Sequence, residues 1–525
     1  MFPNPMMIKQ RLIVSFGRGA LCHVLIALLT CLAWPALARA ADAEAKRPNI
    51  VFVLADDLGW MDTTVNGSRY YETPAMERLA GQGMRFTQAY AASPLCSPTR
   101  ASILTGQYPQ RLKLTSAVGH LPPSEQEGKL KPAAAPWSRA GGVHPVRQLE
   151  LKHVTLAEAL KDADYDTIFL GKWHLGKQKR FFPDRQGFDI NLGGRGDPGP
   201  PGGYFNTSKN HLLPKAPKGT HYDDLLTDLA VDYLAKPKRK SDPFFMCLWY
   251  FDVHAPFQGK PELIEKYKAK SDPRGKQDCP TMGAMIETLD TGLGRVLDAL
   301  KAHGLAEDTI VVFTSDNGGN MYSAVDQTVP TYNFPLRGGK ATMWEGGVRV
   351  PTLISWPGKI KADSVSDEMI SSIDFYPTLL AMAGVEPKAG IPIDGIDLSP
   401  LLTGKTQTLE RDTLYWHFPH ENRVRANYGA SSAIRQGDWK LYRYYHGKAP
   451  NEHLHRLYNL KDDLGERNDL VEAKPQMVAR LGALLDEHLK ATDAMVPLPN
   501  VKFDPDAEKP YLGLKPKDWG NKRLD

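Results

Sequence analysis

Four apolar runs along the chain each end abruptly in charged or polar residues. The runs are rich in β-branched and aromatic side chains, and apolar and polar positions do not alternate within them. Such runs are typical of strands buried on both faces, as in a parallel sheet. With the polar residues that follow, they read "NIVFVLADD" with Asp56 and Asp57, "DTIFLGKWHLG" with Lys172 and His174, "PFFMCLWYFDVHAPF" with His254, and "DTIVVFTSDNGG" with Asp316 and Asn317.

Helical patterns lie between these runs. Thr73 and Pro74 form a cap and first-turn pair, and Thr155 stands before a second helical segment. Apolar residues recur at helical spacing from Met282 to Leu300. Alternating strands and helices predict a doubly wound α/β sheet. Because ligands bind such a sheet beyond the carboxyl ends of its strands, we expect the four polar clusters to meet in one pocket.

The pattern changes after Gly384. Short alternating runs such as "SSAIRQGDWKLYRYY" and "HRLYNL" precede the helical segment "KPQMVARLGALLDEHLK", which predicts a small antiparallel sheet followed by a helix. The predicted organisation is a leader over residues 1–40, a catalytic domain over 47–384, a C-terminal α+β subdomain over 385–493 and a tail over 494–525.

The first 40 residues have the pattern of a secretory signal. A basic start precedes an apolar run and the small-residue site "ALARA", which predicts cleavage after Ala40 and a secreted or periplasmic protein. An uncleaved anchor and a lipoprotein signal at Cys31 are the alternatives, and no later run predicts membrane insertion. The leader holds four basic residues and no acidic one, so its loss lowers the formal net charge from +5 to +1. A nearly neutral chain is not drawn to nucleic acid by its overall charge.

Three cysteines remain after the leader. Their odd number and the lack of a C-x-x-C pair indicate neither a disulfide framework nor a thiolate zinc site. Cys247 lies in an apolar run and is predicted to be a core residue, and pairing with Cys279 stays open. Cys96 is different, because it lies between two prolines and four residues before Arg100.

The polar clusters favour binding of an anion beside a metal ion. Asp56, Asp57, Asp316 and Asn317 offer only oxygen ligands, which hard cations such as Ca²⁺ and Mg²⁺ prefer. Each pair alone is typical of a turn or helix cap, but two pairs at strand ends favour a metal. Five nearby groups would form a clamp for phosphate or sulfate, namely Arg100, Lys172, His174, His254 and Lys340.

The motifs together resemble those of the type I sulfatases. "CSPTRASILTG" is similar to the signature whose C-x-P-x-R core directs conversion of the cysteine to Cα-formylglycine. "ADDLGW", "GKWHLG", "SDNGG" and "GGKATMWEGGVRVP" resemble the family's other blocks, in the family's order. The resemblance, which is closest to the arylsulfatase and N-acetylgalactosamine-sulfatase branch, implies an alkaline-phosphatase-like fold: a large mixed, mostly parallel sheet flanked by helices, with a smaller C-terminal antiparallel subdomain.

The resemblance also implies a role for each matching residue. Cys96, converted by a formylglycine-generating maturation enzyme, would act as nucleophile through its hydrate. Arg100 would orient the hydrate, and Lys172 and Lys340 would hold the sulfate oxygens. His254 would protonate the leaving alcohol, and His174 would take a proton from the second hydroxyl. One Ca²⁺ would be held by Asp56, Asp57, Cys96, Asp316 and Asn317.

The resemblance implies a sulfuric ester hydrolase acting on a sulfated carbohydrate or an aryl sulfate. A serine would leave a stable sulfate ester, whereas a geminal diol can expel sulfate and return to the aldehyde. Hydrolysis of phosphate or phosphonate monoesters and an inactive glycan-binding relative are the alternatives. A cysteine-dependent phosphatase is disfavoured, because its arginine would stand at the position of Ser102.

Two long segments rich in glycine, proline and lysine, residues 113–148 and 193–221, are predicted to line the leaving-group pocket. His417, His420 and Arg423 are predicted to lie with them. We call these two segments and three residues the rim. The "RGD" at residues 195–197 is predicted to be a turn.

Overall fold

The computed structural model describes residues 47–236, 243–421 and 429–507. The predicted leader, Arg423 and the end of the predicted tail lie outside these residues. Within the described ranges, no helix combines the length and the apolar composition that a membrane span requires. The domain bounds given above stay predictions.

The strands, in chain order, are β1 Asn49–Ala55, β2 Met84–Phe86, β3 Ala89–Tyr90, β4 Lys129–Lys131, β5 Gly142–His144, β6 Asp166–Gly171, β7 Ile190–Leu192, β8 Phe244–Trp249, β9 Thr309–Ser315, β10 Thr352–Ser355, β11 Ser364–Ser366, β12 Ile370–Ser371, β13 Thr413–Phe418, β14 Ser431–Gln436, β15 Trp439–Ala449 and β16 Glu452–Asn459. The four apolar runs correspond to β1, β6, β8 and β9.

The α-helices are α1 Pro74–Gly81, α2 Cys96–Thr105, α3 Pro109–Leu112, α4 Leu156–Lys161, α5 Tyr222–Leu234, α6 Pro261–Lys268, α7 Pro280–Ala302, α8 Glu345–Val348, α9 Phe375–Met382, α10 Ser399–Leu402 and α11 Pro475–Ala491. Thr155 caps α4 in a capping box with Glu158. Thr73 makes no side-chain cap for α1, because its hydroxyl instead bonds Thr64.

The main sheet has eight strands in the order β11-β2-β10-β9-β1-β8-β6-β7. The five strands from β9 to β7 are parallel, and β10 is antiparallel to both of its neighbours. Strand β1 lies in the middle and alternates between two cores: Ile50, Phe52 and Leu54 face one, and Val51 and Val53 face the other. Burial on both faces explains the unbroken apolar run. The predicted mixed, mostly parallel α/β sheet is confirmed.

The smaller antiparallel sheet is also confirmed, with the order β13-β14-β15-β16. One face, with Trp416 and Tyr442, packs against the segment around Trp344. The other face, with Ile434 and Leu441, packs against Leu481 and the rest of the apolar stripe of α11.

Cys247 and Cys279 are both buried free thiols. Cys247 belongs to the core on one face of the main sheet and Cys279 to the core on the other. The sheet separates them, which answers the open question of their pairing.

A buried ion pair connects the smaller sheet to the segment that follows Lys340. Lys440 Nζ on β15 lies 2.7 Å from Glu345 Oε1, and both side chains are fully buried. Burial alone raises the pKa of Glu345, but the charges of Lys440, Arg435 and Arg349 outweigh it and lower that pKa to about 2. The Glu345 carboxylate is therefore charged inside the protein.

We expect Lys440→Ala to lower the free energy of unfolding by about 3–5 kcal/mol, because it breaks the fully buried ion pair at Glu345 Oε1 and removes one of the cations that hold this carboxylate charged. Urea denaturation measures the loss. Lys448→Ala on the same strand is the control, because Lys448 is 56% exposed and its pair with Glu452 is loose. Equal unfolding midpoints for the two variants would contradict this account.

Candidate active site

Cys96 is the first residue of α2, and all ten residues of this helix are buried. Backbone N–H groups at a helix N-terminus favour a negative group. Burial nevertheless raises the pKa of the Cys96 thiol, although Lys172 and Lys340 lower it in part. The unmodified side chain is thus a protonated thiol and a weak nucleophile.

Arg100 lies one turn further along α2 and is also buried. Its Nε and Nη2 atoms lie 2.8 and 2.7 Å from Asp316 Oδ2. Its Nη1 donates to the carbonyl oxygen of Lys172 at 2.7 Å. The planar guanidinium thereby joins α2 to the ends of β6 and β9.

Two lysines complete the charge balance at the carboxyl ends of the strands. Lys172 Nζ lies 2.5 Å from Asp56 Oδ2, and Lys340 Nζ lies 2.7 Å from Asp57 Oδ2. Burial would raise the pKa of Asp57, but Lys340 and His254 more than offset it and hold that pKa well below its usual range. Arg100 and Asp316 form a third pair, so three buried carboxylates lie against three buried cations.

The two histidines contact different residues of this cluster. His174 Nδ1 is 3.5 Å from Cys96 Sγ, and His254 Nε2 is 3.8 Å from Asp57 Oδ2. His254 donates from Nδ1 to the carbonyl oxygen of Ala255 at 2.6 Å. Burial lowers the pKa of His254 to about 3, helped by Lys340 and Lys172, and burial also lowers the pKa of His174. Both rings are neutral at physiological pH.

The donor set fits a hard divalent cation. Asp56 Oδ1 and Asn317 Oδ1 are buried without a hydrogen-bond partner, while Asn317 Nδ2 donates to Asp57 Oδ1 at 2.8 Å. Ligand atoms of Asp56, Cys96 and Asp316 all lie within 4.8 Å of one another. Burial and the neighbouring charge of Asp56 raise the pKa of Asp316 to about 6, and a divalent cation would relieve this crowding of carboxylates.

The contacts join all ten predicted site residues in one network at the carboxyl edge of the main sheet. The strand-end residues reach it as the topology predicts. Arg100 comes from α2, and Lys340 comes from the connection between β9 and β10.

The predicted rim residues are only partly at the site. His417 is buried, with its ring nitrogens 2.7 Å from Ser432 Oγ and 3.2 Å from the carbonyl oxygen of Met495, so the expectation that it lines the pocket is wrong. His420 contacts Thr115 Oγ1 at 2.9 Å. In the "RGD" turn, Arg195 and Asp197 pair at 2.9 Å, and the Arg195 carbonyl accepts a hydrogen bond from His174 N.

Sequence reasoning missed His120. It lies in the first rim segment, and its Nδ1 is 3.1 Å from His174 Nε2. Nothing in "VGHLPPS" marks this histidine as a partner of a residue 54 positions away.

Comparison with protein families shows which family the chain belongs to. The Sulfatase family profile matches residues 48–385, and the profile for the C-terminal part of N-sulphoglucosamine sulphohydrolase matches residues 339–494. The chain belongs to the sulfatase family. It is therefore a sulfuric ester hydrolase by family, as the motifs predicted.

Similar proteins span most of the chain. A sulfatase of Formosa agariphila is 34% identical over 521 residues, which cover 86% of this chain and 89% of that protein. Human N-acetylgalactosamine-6-sulfatase is 31% identical over 505 residues, 88% of this chain and 89% of its own length. The structure of Ps i-CgsB in complex with k-i-k-neocarrahexaose has a TM-score of 0.68 at 27% identity and covers 84% of this chain and 93% of that one.

Proposed function

We propose that this sulfatase hydrolyses a sulfate monoester on a sulfated glycan, with Cys96 as formylglycine and one Ca²⁺ bound. The observation that carries the proposal is the position of Cys96, which begins a buried helix beside Asp56, Asp316 and His174. Conversion of the thiol to an aldehyde would supply a hydrate, whose first hydroxyl attacks sulfur and whose second allows sulfate to leave.

The surrounding cations support binding of the sulfate group. Lys172 and Lys340 direct buried charges into the cluster, where burial strengthens their attraction for an anion. Arg100 is held by Asp316 and orients the side chain at position 96. These groups are fixed before substrate arrives, which lowers the cost of organising them in the transition state.

Two neutral histidines supply proton transfer in the proposal. His174 Nδ1 lies on the side of residue 96 and would accept a proton there. His254, whose Nε2 faces Asp57, would protonate the leaving alcohol. That role requires the bound sulfate ester to raise the pKa of His254, because the free site keeps the ring neutral.

The calcium ion would be held by Asp56, Asp57, Cys96, Asp316 and Asn317. When bound, it would neutralise carboxylate charge and polarise the sulfate oxygens. The unpartnered Asn317 Oδ1 and Asp56 Oδ1 support this ligand set, because buried oxygens without a partner are costly.

The names of the relatives favour a carbohydrate substrate. One is a human N-acetylgalactosamine-6-sulfatase, and a structural neighbour holds a neocarrahexaose. We further propose that residues 1–40 direct export to the periplasm or outside the cell, and that a formylglycine-generating enzyme modifies Cys96.

We expect the converted protein to release sulfate from a panel of sulfated oligosaccharides or from an aryl sulfate. Cys96→Ala should reduce this release by about a thousandfold or more, because it removes the nucleophile. Cys279→Ala, which changes a buried cysteine on the far side of the sheet, should leave the rate unchanged. Faster hydrolysis of phosphate or phosphonate monoesters would favour that alternative, and binding without hydrolysis would favour the inactive relative.

We expect Ca²⁺ at about a hundred times its Kd to raise the free energy of unfolding by about 2.7 kcal/mol. Asp57→Asn should lose most of this gain, because it removes a carboxylate ligand. Asp62→Asn is the control, since Asp62 is buried and bonds Gly59 N, Thr331 Oγ1 and Gln277, none of which is a proposed calcium ligand. Thermal and urea unfolding with and without calcium measure the difference, and an equal gain in both variants would refute the ligand set.

A further inference from the structure

His174 has a partner at each of its ring nitrogens. Nδ1 is 3.5 Å from Cys96 Sγ, and Nε2 is 3.1 Å from His120 Nδ1. The two imidazole rings lie with their centroids 5.4 Å apart and their planes 31° from each other. In such a contact between two ring nitrogens, one must carry the proton and the other must accept it.

We propose that His120 is a positioning residue that holds His174 in the tautomer with its proton on Nε2 and its lone pair on Nδ1, facing residue 96. The inference rests on the proposed function, because only there must His174 accept a proton at Nδ1. In this arrangement His174 Nε2 donates to His120 Nδ1, and His120 carries its own proton on Nε2.

The burial of His174 makes this partner necessary. Its side chain is 1% exposed, so water cannot satisfy Nε2. A buried N–H without an acceptor is destabilising, because it loses its hydrogen bond to water and gains none in the protein. Without His120, the ring proton of His174 would move from Nε2 to Nδ1, where Cys96 Sγ or its modified form is the available partner. The lone pair on Nδ1 that proton transfer needs would then be lost.

The chain fixes both histidines so that this contact is specific. His174 N donates to the Arg195 carbonyl at 3.0 Å, and Ser97 Oγ donates to the His174 carbonyl at 2.8 Å. Gly119 packs so tightly that a Cβ there would lie 1.8 Å from the His174 carbonyl oxygen. The backbone next to His120 is therefore held against the backbone of His174, which keeps the two rings within reach of each other.

The same geometry explains why His120 differs from the other rim residues. It is partly exposed and lies in a segment predicted to line the leaving-group pocket, yet its Nδ1 contacts His174 of the catalytic cluster. Burial, Lys177 and Lys172 lower the pKa of His120, which keeps its Nδ1 available as an acceptor. His120 therefore affects proton transfer through His174, although it lies among residues predicted to contact the leaving group.

The direct test is the tautomer of His174, read from the ¹⁵N shifts of the full-length, histidine-labelled chain in the presence of calcium. A His174→Gln sample assigns the signals. We expect a pyrrole-type Nε2 and a pyridine-type Nδ1 in the unaltered chain, a mixed or reversed pattern in His120→Ala, and the original pattern in His120→Asn, whose Oδ1 can accept in place of Nδ1. His303→Ala, after helix α7, is the control and should change nothing.

The tautomer can be measured with Cys96 unconverted, so failure of the proposed catalysis does not affect it. A proton on Nδ1 in the unaltered chain overturns the proposal, and so does an unchanged pattern in folded His120→Ala.

In converted enzyme we expect His120→Ala to lower kcat by about tenfold to a hundredfold, the range seen when the partner that orients a histidine is lost. KM should stay within about twofold and His120→Asn should recover most of kcat; a change confined to KM would indicate a substrate contact instead.

Discussion

The structure depends on the mutual neutralisation of three carboxylates and three cations inside the protein. Asp56, Asp57 and Asp316 meet at the carboxyl edge of the sheet because their strands are parallel neighbours. Removing such charges from water costs several kcal/mol per ion, and this cost is offset only if each charge has close partners. Arg100, Lys172 and Lys340 supply these partners. The same arrangement brings together the oxygens and cations that the proposed metal ion and sulfate would contact.

The position of Cys96 follows from this arrangement. Arg100 connects α2 to Asp316, so the first residue of that helix, Cys96, lies beside the carboxylates and against His174. A buried thiol with a raised pKa has little reactivity of its own. In the proposed function, chemistry at this position depends on conversion of Cys96 and on its neighbour His174, whose own partner His120 no sequence motif reveals.

Strand ends were the most informative part of the sequence. Asp56, Lys172 and Asp316 follow apolar runs, and parallel pairing necessarily brings the ends of such runs together. Arg100 and Lys340 follow no strand, and only their motifs connected them to the site. His120 could not be predicted, since a loop residue has no periodicity that fixes its neighbours. The prediction for His417 was wrong because sequence spacing does not show that its ring nitrogens contact Ser432 Oγ and the Met495 carbonyl oxygen.

Conversion of Cys96 can be measured as the mass of the tryptic peptide that contains it. The peptide should come from protein that releases sulfate and was produced beside a maturation enzyme. The account predicts a mass about 18 Da below that of the thiol form, the change expected when the CH₂SH group becomes CHO. An unmodified cysteine in fully active protein would contradict it, because the thiol would then be competent without conversion.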